Sequence, residues 1–149
     1  MEPEELYKVI QLVRPLHLEL ARAVEMELEG AGLGLGARAV LEVLAAGGAL
    51  PVPGIATELS LARQVVQRSV DTLREMGLVV AQENPAHRRS VLIGLTKAGR
   101  ALWRRVHGRE LRVLADVGGD LDPKAVQACV RVMGCLQQGF AARNRGRAL

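Results

Sequence analysis

Aromatic residues are almost absent from this chain of 149 residues, at 2%, with one Trp, one Tyr and one Phe. Repeated base stacking is therefore excluded as a way of holding single-stranded nucleic acid. Cysteine is nearly as scarce. Cys129 and Cys135 lie six residues apart in a helical pattern, which turns them about 240° from each other at ~100° per residue, so they neither pair with each other nor clasp one metal ion within an intact helix. No apolar run approaches the roughly 18 residues needed to span a bilayer, and the acidic stretch Met1 to Lys8 does not resemble a signal peptide, so a cytoplasmic location is expected. Catalytic signatures are missing too. There is no HExxH, GxSxG, P-loop or CxxC spacing, and His17, His87 and His107 fall in three different predicted elements. No catalytic residue, metal ligand or cofactor is assigned, and no enzyme activity is expected.

What the chain has is charge divided by segment. Its net charge is +4, but residues 1–62 carry net −5, residues 63–109 net +7 and residues 110–149 net +2. A basic stretch beside an acidic one is the electrostatic footprint of a nucleic-acid surface. The hydrophobic content of 49% supports one domain with a core.

Leu6, Val9, Val13, Leu16, Leu20, Val24 and Leu28 recur at three- and four-residue steps, predicting an amphipathic helix over 4–29 that Pro15 should kink or interrupt. The glycines of 30–36 end it. No strand precedes them and no GK[ST] follows, so they read as a connection rather than a phosphate loop. A short helix is predicted over 37–46, a brief extended piece over 50–52, and a helix over 53–59 with Pro53 at its first position. A turn over 60–62 and a helix over 63–76, closed by Gly77, complete a helix-turn-helix. Segments 78–83 and 90–95, rich in β-branched residues, flank the polar 84–89 and predict a hairpin. Thr96 is placed to cap a helix from Lys97 to about Val117, weakened at Gly108, and Asp122-Pro123 opens a last helix. A helix-turn-helix followed by a hairpin is a winged helix.

The predicted helix 63–76 is two-faced. Val66, Val70, Leu73 and Met76 share an apolar side, whereas Gln64, Gln67, Arg68 and Asp71 share the other. Glutamine offers adenine a donor and acceptor pair, and arginine grips guanine O6 and N7, so the second face suits a major groove. Arg63 at the helix start suits a phosphate, and Asp71 is expected to pair with Arg68 or Arg74. Arg88 and Arg89 sit at the hairpin tip, where guanidinium groups enter a narrow minor groove, with His87 beside them as a phosphate contact or brace. In the last helix Val126, Cys129, Met133, Leu136 and Phe140 step by 3, 4, 3 and 4, a narrow seam for another long helix. That helix belongs either to a symmetry mate or to the same chain.

From the first helix to the last, the chain resembles the MarR-type winged-helix transcriptional regulators. The resemblance rests on Val70-Asp71-x-Leu73-x-x-x-Gly77-Leu78-Val79, on the wing Asn84-Pro85-x-His87-Arg88-Arg89-Ser90, and on Leu95-Thr96-x-x-Gly99. It implies a mainly α fold with a small β-hairpin wing, residues 37–99 forming the DNA-binding module and residues 1–30 and 100–149 a helical dimerisation region. It further implies a homodimer on a roughly palindromic operator in double-stranded DNA, usually repressing, with recognition-helix roles at Arg63, Gln64, Gln67 and Arg68 and wing roles at His87, Arg88 and Arg89. Many relatives carry Ser or Thr at the places of Ala62, Val65 and Gln67, and Asp at the place of His87. Many also respond to a small aromatic effector, for which Arg14, His17 and Trp103 are candidates, with no ligand residue assigned. The oxidant-sensing cysteine of some relatives lies near the N-terminus, where this chain has none, and Cys129 is expected to be a small buried hydrophobe. A winged helix that binds a protein partner without DNA is the alternative reading.

Overall fold

The structure is a computed structural model that describes residues 2–28, 30, 32–87 and 90–146. Eight elements follow in order: α1 (Pro3–Leu28), α2 (Leu35–Gly47), α3 (Val52–Leu59), α4 (Arg63–Glu75), β1 (Val79–Glu83), β2 (Val91–Leu95), α5 (Lys97–Gly118) and α6 (Pro123–Gly146). They pack as two compact units, Met1–Leu111 and Arg112–Leu149. The fold is mainly helical with a two-stranded antiparallel hairpin, as expected.

The first unit holds the core. Val40 and Leu41 of α2, Ile55 of α3, and Val66, Val70 and Leu73 of α4 are all at most 1% exposed. With Ala37 and Leu44, the α2 pair makes a stripe at three- and four-residue steps, as Val66, Val70 and Leu73 do on α4, so the helices meet on a shared apolar centre. The hairpin closes that centre with Val79, Ile93 and Leu95, and α5 with Leu102 and Val106. Register is set by the pairs Val79 with Leu95 through Glu83 with Val91. The expected extended piece is a bridge: Leu50 exchanges backbone hydrogen bonds of 3.1 and 2.8 Å with Ile93, on the edge of β2 away from β1.

Chain reversals have local causes. After α3, Ser60 adopts a left-handed conformation (φ 54°), and the Leu61 N–H returns to the Ala56 carbonyl at 3.0 Å. After α4, Gly77 (φ 69°) lets the Leu78 N–H reach the Leu73 carbonyl at 2.8 Å and its own N–H reach Arg74 at 2.9 Å. This Schellman closure is what the glycine supplies. Thr96 then ties the hairpin to α5: its hydroxyl donates to the Gly77 carbonyl at 2.8 Å and accepts the Gly99 N–H at 3.0 Å. A Cβ on Gly99 would lie 2.0 Å from the Leu78 carbonyl oxygen, so no other residue fits there without moving the backbone.

Several expectations are corrected. Pro15 does not interrupt α1, which runs unbroken through it. The carbonyl that loses its donor is that of Gln11, an exposed residue whose group water can satisfy. Helix α5 runs through Gly108 as expected, whereas α3 starts one residue early, with Pro53 in second place. Met76 lies past the end of α4 and is exposed, not part of the anchoring face.

A polar clasp joins α2 to α5. Arg38 donates from Nε and Nη2 to the two carboxylate oxygens of Glu110, the second at 2.6 Å, and from Nη1 to Glu42 at 2.7 Å. Its guanidinium also lies 5.5 Å from the ring centre of Trp103, which stacks on His107 at 5.1 Å. The Glu110 hydrogen bond outweighs the opposing push of burial and holds the guanidinium pKa above its ordinary value. Both side chains of the Arg38–Glu110 pair are less than one-fifth exposed, so removing one strands the other. Glu110→Ala is expected to cost about 2 kcal/mol and lower Tm by about 4–8 °C in thermal unfolding. Glu5→Ala, which breaks an exposed pair with Lys8, is expected to cost less than about 0.5 kcal/mol.

Candidate nucleic-acid interface

Burial of Val66, Val70 and Leu73 fixes the rotation of α4 about its axis, and the side chains half a turn away are thereby turned outward. Arg63, Gln64, Gln67, Arg68 and Asp71 are all exposed. No side chain caps the helix at Ala62, which leaves N–H groups of its first turn open to an anion. Neither Arg63 nor Arg68 has a carboxylate partner among the described residues.

Asp71 departs from expectation. Its Oδ1 accepts from Gln67 Nε2 at 2.9 Å, and it pairs with neither Arg68 nor Arg74. Around the helix axis Gln67 is about 40° from Asp71, whereas the two arginines are about 60° away at ~100° per residue, so the glutamine is the nearer neighbour. The consequence is chemical. One N–H of Gln67 is committed to the carboxylate, while its carbonyl oxygen and second N–H remain, the pair an adenine edge needs. Asp71 thus orients a candidate base reader, and neither arginine has a carboxylate partner among the described residues.

The wing is shaped by Asn84, whose role the residue pattern alone did not single out. Its Oδ1 accepts the Ala86 N–H at 3.0 Å, its Nδ2 donates to Ser90 Oγ at 3.3 Å, and its carbonyl accepts the His87 N–H at 3.2 Å. An Asx turn of this kind mimics a backbone turn, which an asparagine before proline signals in sequence. His87 is exposed, and its carbonyl accepts the Ser90 N–H at 2.8 Å. Arg88 and Arg89 lie outside the described residues.

The remaining candidates are dispersed. Arg14 and His17 are exposed on α1, and Trp103 is half-buried in the clasp on α5. Cys129 and Cys135 are free thiols, both exposed, so the chain's own packing does not bury Cys129; no described residue of α6 is buried within the single chain. Among the described residues no group of three His, Cys, Asp or Glu side chains is placed to hold a metal, and no helix is long and apolar enough to cross a membrane.

Comparison with known proteins agrees with this geometry. Residues 31–90 match the sequence model of the MarR family. The uncharacterized protein Rv2011c of Mycobacterium tuberculosis is 39% identical over 80 residues, which cover 54% of this chain and 56% of that protein. The match thus spans little more than half the length of this relative. Among solved structures, the MarR family transcription regulator SP03579 superposes with a TM-score of 0.83 at 28% identity, covering 96% of this chain and 95% of that one. Bordetella bronchiseptica BpsR, whose DNA binding is regulated by 6-hydroxynicotinic acid, superposes with a TM-score of 0.73 at 22% identity, covering 87% of this chain and 92% of that one. Residues 31–90 are thus similar in sequence to the MarR family, and nearly the whole chain has the winged-helix fold of a MarR family transcription regulator.

Proposed function

We propose that the chain is a sequence-specific regulator of transcription that binds double-stranded DNA as a homodimer, acting in the cytoplasm as a repressor on a roughly palindromic operator. The observation that carries the proposal is the outward face of α4, where Arg63 and Arg68, without carboxylate partners among the described residues, flank Gln64 and the oriented Gln67. In this reading Gln64, Gln67 and Arg68 read the major groove and Arg63 meets a phosphate. His87, Arg88 and Arg89 form the wing contact in the minor groove. Residues 37–99 form the DNA-binding module, and residues 1–30 and 100–149 the dimerisation region.

Homodimer formation is supported by the uncovered seam of α6. Val126, Met133 and Phe140 are exposed at coiled-coil spacing, and an open apolar cleft of about 900 Å³ runs along Leu121, Val126, Val130 and Met133. Two copies would place recognition helices on half-sites about one turn, roughly 10 base pairs, apart. A small aromatic effector belongs to the same proposal, supported by the likeness to BpsR.

Selection of bound sites from random duplexes should yield an inverted repeat whose affinity falls by orders of magnitude between 50 and 200 mM salt. Salt-insensitive binding, or no enriched duplex, would favour the protein-partner alternative. On the selected site, Arg68→Ala is expected to cost about 1–3 kcal/mol and relax preference at one base position, while Arg89→Ala should lower the salt slope by about 1. Light scattering after gel filtration should give twice the chain mass for the native protein. The double variant Val126→Glu, Met133→Glu should be monomeric, and an unchanged mass for it would remove α6 from the dimer interface.

A further inference from the structure

A second cleft, of about 530 Å³, lies within the first unit between α4 and the hairpin. Gln67 and Arg74 line it from the helix, Ser90 and Val91 from the hairpin, and Pro51 and Pro53 from the segment that opens α3. Its apolar surface is accessible: Val91 is 54% exposed and Pro53 is exposed. Arg74 follows Gln67 by seven residues, so at ~100° and ~1.5 Å per residue it stands about 20° away around the axis and about 10 Å further along. The two therefore share one edge of α4. The backbone of Arg74 is pinned where the helix closes, its carbonyl accepting the Gly77 N–H at 2.9 Å.

The polar groups of the cleft have donors to spare. Asp71, the carboxylate three residues before Arg74, is held by Gln67, and Arg74 has no carboxylate partner among the described residues. No described acidic residue lines the cleft. Ser90 Oγ accepts from Asn84 Nδ2 at 3.3 Å, which orients the hydroxyl and leaves its proton without an acceptor among the described residues. A guanidinium on one wall and a hydroxyl on the other thus face a gap with accessible apolar surface.

The place of the gap decides what fits it. A helix seated in a major groove and a hairpin reaching the adjacent minor groove straddle one sugar–phosphate strand, because that strand is what separates the two grooves. Whatever lies between helix and hairpin faces phosphates. We propose that this cleft seats that strand, with Arg74 gripping a phosphate from the helix side, Ser90 donating to it from the hairpin side, and Val91 and Pro53 packing on deoxyribose. The assignment rests on the DNA-binding reading and adds to it a contact that sets register on the duplex and reads no base.

On the operator selected from random duplexes, Arg74→Gln should weaken binding about tenfold on matched and mismatched sites alike and lower the salt slope by about 1. Arg74→Lys, which keeps the charge, should retain the slope. Neutral methylphosphonates placed one at a time along the site locate the contact. One of them, on the strand between the bases protected by α4 and the groove entered by the wing, should weaken the native protein about tenfold but Arg74→Gln less than about twofold. Ser90→Ala should reduce sensitivity at the same phosphate in smaller measure. An unchanged slope for Arg74→Gln, a change of base preference in place of a uniform loss, or losses that multiply at every phosphate would overturn this assignment and leave the native protein's salt-dependent binding intact. A native protein that bound no duplex would overturn the DNA-binding reading and this assignment with it.

Discussion

The burial of Val66, Val70 and Leu73 is the constraint on which the rest of the molecule depends. Each is at most 1% exposed, and together they fix the height and rotation of α4 against α2 and α3. A helix anchored along one stripe has no freedom to choose what it shows on the other. The outward array of Arg63, Gln64, Gln67 and Arg68 is thus a by-product of core packing. The Gln67 to Asp71 hydrogen bond adds a second level of order by restricting one side chain within that array.

Around this anchor, two junctions hold the hairpin and α5. Gly77, Leu78, Thr96 and Gly99 form one, in which a hydroxyl bridges a helix end and a helix start while Leu78's carbonyl occupies the space a Cβ would need. The other is the Arg38 clasp, where one guanidinium holds carboxylates of α2 and α5 and lies over an indole. The first works through backbone proximity and the second through charge, so they answer to different perturbations. Between them the first half of α5 is held at both ends.

Periodicity and turn chemistry made most of the fold legible. The two-faced α4, the glycine that closes it, the hairpin, and the Asp122 cap, whose Oδ1 accepts the Lys124 N–H at 3.1 Å, follow from local rules. Local rules misjudged Pro15, because a residue that weakens an isolated helix is carried when the turns on either side are well formed. They misplaced Met76 because an apolar residue at the right spacing still falls off the core when the helix ends before it. For Asp71 the spacing pointed to Arg68 or Arg74, and the structure pairs it with Gln67.

What the sequence by itself determined is whatever depends on neighbours along the chain: the elements, their faces, their caps, and the concentration of positive charge on residues 63–109. Only the tertiary structure decided which distant residues meet. Arg38 and Glu110 are 72 positions apart, and position 99 must lack a side chain because of the Leu78 carbonyl. The physical reason is range. Backbone hydrogen bonding and helical periodicity act over a few residues, whereas close packing joins side chains whose separation along the chain carries no information about their distance in space.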